Sequence, residues 1–166
     1  VATATLPPLA TSELVAQFWI GTIPGLSTQM VATQLPDAED KRGNPAPWVA
    51  TGFITVHVVG GSPNIYLPVK NPVMQLDFYA TRPGSDKPPW GVANVLAETV
   101  RYATLQRTGF NRVLNLMAGN TTYPPAVVKS AYFMTEPRRA YGDVGDYGHY
   151  QVDMAMTWVT PSDRIP

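Results

Sequence analysis

The chain has 166 residues and a mass of 18.1 kDa; 45% of it is apolar, 14% is charged, and twelve basic residues balance twelve acidic ones. That length holds one domain with a real core, the apolar share excludes wholesale disorder, and zero net charge argues against a freely diffusing nucleic-acid binder. The absence of cysteine excludes disulfides, thiolate metal sites and cysteine nucleophiles, and no apolar run approaches the ~20 residues of a membrane helix.

Val1 to Leu9 is a Thr/Ala/Pro stretch without periodicity, and residues 1–11 read as a flexible N-terminal arm. The start lacks the basic-then-apolar layout of a secretory signal. Thr11 or Ser12 caps a short helix running to about Ile20, with Leu14, Val15, Phe18 and Trp19 as its apolar stripe. Gly21 and Pro24 end it, and Gly25 to Pro47 is loop chemistry around the mixed charge cluster 37–42. Thr51 to Val59 is a β-branched strand in which Ile54, Val56 and Val58 alternate with Phe53, Thr55, His57 and Val59. Gly60-Gly61-Ser62-Pro63-Asn64 breaks it, and 60–71 reads as a long extended loop because Pro68 and Pro72 suit an arm or edge better than a central strand.

Pro72 to Thr81 is the second strand, with Met74, Leu76, Phe78 and Ala80 on one face and Val73, Gln75, Asp77 and Tyr79 on the other. A proline-rich turn, 82–91, leads into the best helix, from Pro88 or Gly91 to Arg107. Its inner face is Val92, Val95, Leu96, Val100 and Ala103. Asn111 to Pro125 is ambiguous between short strand and packed loop. Ala126 to Thr135 reads as a strand, 136–148 as a long connection, and His149 to Val159 as the last strand, with Val152, Met154, Met156 and Trp158 inward. The expected architecture is one α+β domain over 1–166: a single, mainly antiparallel sheet with helices packed on one face, plus long loops or arms.

Tests for chemistry return little. Gly60-Gly61-Ser62-Pro63-Asn64 lacks the Gly-Lys-Ser/Thr and the following helix of a phosphate-binding loop. His57 and His149 have no carboxylate at ligand spacing beside them, so no metal and no cofactor are expected. Asp77 and Asp153 lie on the polar sides of two strands and could share one sheet face. As an acid/base pair of a small hydrolase they would need a cleft and split pKa values. The plainer assignment is a wet or channel-lining sheet face. Arg138 and Arg139, with Arg107 and Arg112, suit phosphate or the acids of a neighbour.

Charge is scarce and segregated. Residues 1–40 carry a net −4, residues 41–139 a net +7 and residues 140–166 a net −3. Scarce charge with 17 prolines fits a chain that buries surface against other chains through stiffened arms. The candidate contact residues are Gly60, Gly61, Pro63, Trp90, Arg138 and Arg139, with Trp90 as an aromatic anchor in an exposed loop.

Pro72-Val-Met-Gln-Leu-Asp-Phe-Tyr-Ala80, a short loop ending in Trp90-Gly91, then Val92-Ala-Asn-Val-Leu-Ala-Glu98 resembles the tail terminator (tail completion) proteins of long-tailed phages with non-contractile tails. Val58 to Asn64 and Gly84 to Gly91 are similar to versions from actinobacterial phages, and Tyr150 to Trp158 to the family's last strand. The resemblance covers about 50–160, and most strongly 58–98. It implies a structural virion protein and no enzyme: a homo-oligomeric ring, commonly a hexamer, that caps the tube, ends tail polymerisation and forms the head-tail joining surface. The implied partners are copies of itself, the major tail tube protein and the head-completion (stopper) protein. Genomic DNA would pass through without sequence-specific binding, and no membrane is involved. The implied location is the virion's head-tail joint, after assembly in the host cytoplasm. The alternatives are a tube protein, a head-tail stopper, or the hydrolase using Asp77 and Asp153.

Overall fold

The computed structural model describes residues 9–141 and 147–161. Residues 1–8 of the expected N-terminal arm therefore lie outside the described residues. The end of that arm is tied down: Ala10 is buried, and the Thr11 hydroxyl accepts a hydrogen bond from Leu14 N at 3.2 Å to cap α1, Ser12–Gly21. Val15, Ala16, Trp19 and Ile20 form the buried face of α1, one residue round from the expected stripe, and Leu14 and Phe18 pack half-buried at its margin.

The segment expected to be all loop contains two short elements. β1, Val31–Ala32, pairs in parallel with Ile54 and Thr55 of β2, Phe53–Gly61, and a single helical turn, α2, spans Trp48–Thr51. Between them a small hairpin is closed by Asp40, whose carboxylate accepts from Arg42 N, Asn44 N and Asn44 Nδ2. The Asn44 side chain, then its backbone and that of Arg42, hold the Asp40 carboxyl below its usual range.

Next in the chain come β3, Val69–Lys70, β4, Pro72–Thr81, and the long helix α3, Trp90–Thr104. Two-residue strands β5, Val113–Leu114, β6, Met117–Ala118, and β7, Thr121–Thr122, occupy the ambiguous stretch. They are followed by β8, Ala126–Phe133, β9, Arg138–Arg139, and β10, Tyr147–Val159. The expected long connection 136–148 is thus partly strand, and its residues 142–146 lie outside the described residues.

Eight strands of the described residues make one sheet: six lie in the order β1-β2-β4-β10-β8-β5, β3 and β9 each pair with β10 beside that path, and all pairings are antiparallel except β1 against β2. β10 is its spine. One edge of β10 pairs with β4 and then β3; the other pairs with β9 and then β8. The molecule is α+β, as the element order implies. α1 and α3 lie on one face, over Ile54, Val56, Met74, Leu76, Phe78, Val152, Met154, Met156 and Trp158. α2 departs from the expectation of helices on one face: its Trp48 ring packs edge-on to Phe53 and stacks on Tyr147, both on the opposite face of the sheet.

Bulges explain where strict alternation fails. Val58 pairs with Met74 and Gly60 with Val73, so Val59 is an extra residue and the facing inverts beyond it. Thr157 pairs with Ser130 and Trp158 with Val128, so Lys129 is extra and both Val128 and Ala131 reach the core. In α3 the buried residues are Ala93, Leu96, Ala97, Val100 and Ala103. Small Ala93 and Ala97 let the helix approach the sheet, which rotates Val92 and Val95 outward, against expectation.

Candidate functional site

The face of the sheet away from α1 and α3 carries Gln75, Asp77 and Tyr79 from β4 and His149 and Gln151 from β10. The register sets His149 opposite Tyr79 and Gln151 opposite Asp77. His149 therefore sits diagonal to Asp77, and its Nε2 lies 2.6 Å from Asp77 Oδ1. Gln151 Nε2 donates to the same oxygen at 3.1 Å and Gln75 Nε2 to Oδ2 at 2.9 Å, while the Tyr79 ring stacks on the imidazole at 4.3 Å. Asp77 is only 4% exposed and His149 5%.

Burial pushes the Asp77 carboxyl upward in pKa, but the hydrogen bonds from His149 and Gln75, the His149 charge and the Gln151 bond outweigh it. The net shift is below the ordinary carboxylate value. Asp77 is thus buried rather than part of a wet or channel-lining face, a correction to its expected placement. Its titratable partner is His149, not Asp153. Asp153 stands opposite Gln75 on the same face and is half-exposed. An acid/base reading would need both carboxylates in a cleft, and neither lines the three clefts described below. Among the described residues no group of three His, Cys, Asp or Glu side chains is placed to hold a metal.

The contact candidates separate into two places. Gly60, Gly61 and Pro63 begin an arm, residues 62–68, at the end of β2. Gly61 has φ +116°, and a Cβ there would strike Asn71 O and come within 2.8 Å of Pro72 Cα, so glycine is dictated by the backbone itself. Asn64 Oδ1 accepts from Tyr66 N and Leu67 N, each at 2.9 Å, which folds the arm's tip. The tip presents Ile65, 80% exposed, and Tyr66, 89% exposed, with Leu67 beside them. Below the arm is a cleft of about 410 Å³ between Leu9, Ser12, Val69 and Trp158.

Trp90, Arg138 and Arg139 lie at the other end of β10. Trp90 is the first residue of α3 rather than a loop tip, and it is half-buried. Its ring packs on Tyr150 and Tyr141, and the Arg139 guanidinium lies 4.8 Å over it while donating to the Tyr150 hydroxyl. Arg138 donates to Gln151 Oε1 on the opposite face. Both arginines are exposed on the short strand β9.

A region missed from the sequence is the groove beside α3. A cleft of about 620 Å³ runs between the end of α1 and α3, lined by Trp19, Ile23, Val95 and Tyr102 among others. A shallower one of about 530 Å³ continues it past Val95 to Val92 and Leu26. Val95 is 66% and Tyr102 65% exposed. The available signal was the pair Ala93 and Ala97, which mark the buried side of the helix more sharply than the valines do.

Compared with known proteins, the chain matches no family model and no curated sequence. Among the described residues no helix is long and apolar enough to cross a membrane.

Proposed function

We propose that this chain is the subunit of a closed ring that caps the tail tube of a long-tailed phage, ends its polymerisation and joins it to the head-completion protein. The role is the one implied by the resemblance of residues 58–98. The observation that carries it is the arm at 62–68: among the described residues its apolar tip, with the backbone held by Asn64, is exposed, as a surface that meets another chain would be. The exposed apolar row on α3 supports the same reading, because a subunit needs two surfaces to continue round a ring. In a sixfold ring at the head-tail joint, DNA passes along the axis. The half-exposed Asp153 is then the acid of the former pair that remains accessible for an axial wall, where repeated negative charge keeps a polyanion from sticking.

The test is electron microscopy and light scattering of the purified chain, alone and added to polymerising tube subunits. Discrete rings of one height and mass, and tubes that stop growing when the chain is added, support the proposal. Open filaments would indicate a tube protein instead. A chain that neither closes nor stops tube growth overturns the reading.

A further inference from the structure

We infer that the groove beside α3 is a binding site for a small organic monoacid, whose apolar body lies against Trp19, Ile23 and Tyr102 and whose carboxylate meets Arg112. The site goes beyond the ring reading and does not rest on it.

At about 620 Å³ the groove is the largest of the three clefts, within the roughly 300–1,000 Å³ of small-molecule sites. Its walls offer a fraction of the about 1,000 Å² that a specific protein interface needs, so its size suits a small guest better than a second chain. Most of its polar lining is already engaged. The Thr22 hydroxyl donates to Trp19 O at 2.7 Å, the Thr99 hydroxyl to Val95 O at 2.8 Å, and the Trp19 indole N–H to Gly109 O at 2.9 Å. Glu98 is held by Arg101 at 3.3 Å. Arg112 differs: it lines the groove, and among the described residues no carboxylate pairs with it. A neutral guest leaves that charge to water, whereas a carboxylate gains a charge-assisted, two-pronged contact with the guanidinium.

The cation springs from a loop that is fixed before any guest arrives. Phe110 stacks on the Trp19 ring with centroids 5.5 Å apart, and Asn111 N donates to Val128 O at 2.9 Å. Asn111 Oδ1 accepts from Lys129 Nζ at 3.2 Å, which brings a second positive charge to the base of the loop. Asn111 itself has φ +58°, so the turn into Arg112 is left-handed and set by the backbone. Such prior ordering reduces the entropy lost on binding. The other charge of the lining limits the guest further. Glu98 on the α3 wall disfavours a second carboxylate, so an acid with one charged end and one apolar end fits, and a diacid does not.

The probe is phenylbutyrate, with phenylbutanamide, phenylbutylamine and butyrate as its neutral, cationic and truncated counterparts. The readout is the nuclear magnetic resonance signal of the Trp19 indole N–H in the full chain carrying isotope-labelled tryptophan, identified by its loss in Trp19→Phe. The expected result is a saturable shift with phenylbutyrate at a dissociation constant of about 1 mM, with the amide at least about 5-fold weaker. The amine and butyrate should not saturate. Arg112→Gln, at an exposed position, should keep the fold by circular dichroism and bring acid and amide to within about 2-fold of each other. Equal binding of acid and amide by the parent would mean that Arg112 serves the carbonyl end of α3 instead, and overturns the inference. A preference for the acid that survives Arg112→Gln, saturation that spares the Trp19 signal, or no saturation by about 20 mM acid each overturns it too.

Discussion

Asp77 is held by three donors, from His149, Gln75 and Gln151, in a place where water cannot replace them. Removing the carboxylate leaves those donors facing a void, so Asp77→Ala should cost about 2–4 kcal/mol in urea denaturation, and Asp77→Asn about half of that, since the amide oxygen keeps one acceptor. The folded carboxyl titrates below its unfolded value. Its stabilisation is therefore complete above about pH 4 and is lost as pH falls through the folded value. Stability measured from about pH 5 down to 2 should fall less steeply in Asp77→Asn than in the parent, and equal slopes would remove Asp77 from the acid response. Trp90 is governed by packing of another kind. With Tyr150, Tyr141 and Arg139 around its ring, Trp90→Ala should lower the stability of the isolated chain by about 2 kcal/mol in a thermal melt. An unchanged melting temperature would return Trp90 to the role of an anchor for partners.

The arm is fixed at its root by backbone rather than by side chains. Gly61→Ala should displace Asn71 and Pro72, loosen the pairing of β3 with β10 and speed amide exchange at Val69 and Lys70 before it affects α3. Uniform exchange throughout the sheet would contradict a local effect. At the other end of β10, a Cβ on Gly148 would come within 2.8 Å of Pro89 O, so the same strand meets the start of α3 too closely for any side chain. Such close approaches mark what was legible in the chain. β4 alternates along its ten residues and its bounds and inward face follow from that, whereas β10 alternates from Gln151 to Val159, so its inward face is legible but its start at Tyr147 lies two residues before the expected His149. β1, β3 and β9 have two residues each, too few to carry a period, and exist only because a neighbour offers an edge. The bulges at Val59 and Lys129 leave no local mark, because an extra residue is defined by the partner strand. For the same reason Asp77 and His149, 72 residues apart, could be placed on polar faces but not paired: the register that joins them belongs to neither strand alone.

Across the whole molecule, two forces would compete for control of the proposed assembly. The charge along the chain is segregated, negative at both ends and positive between, which by itself favours head-to-tail stacking in dilute salt. The exposed surface argues for the other force: Ile65, Tyr66, Val95 and Tyr102 are largely apolar, while Arg101 on α3 is already shared between Glu98 at 3.3 Å and Glu136 at 3.1 Å, which leaves Arg112 as the cation that lines the groove. Screening separates the two. Between about 0.05 and 0.5 M sodium chloride the Debye length falls from above 10 Å to below 5 Å, and contacts held by exposed charge weaken steeply, whereas burial of apolar area does not. Sulfate acts in the opposite sense by strengthening apolar burial. The expected outcome in light scattering is an assembled mass that survives 0.5 M sodium chloride and grows with ammonium sulfate, with Tyr66→Ser abolishing the sulfate response. Assemblies that dissolve in moderate salt, with Tyr66→Ser behaving like the parent, would instead place control with the segregated charge and make the arm a bystander.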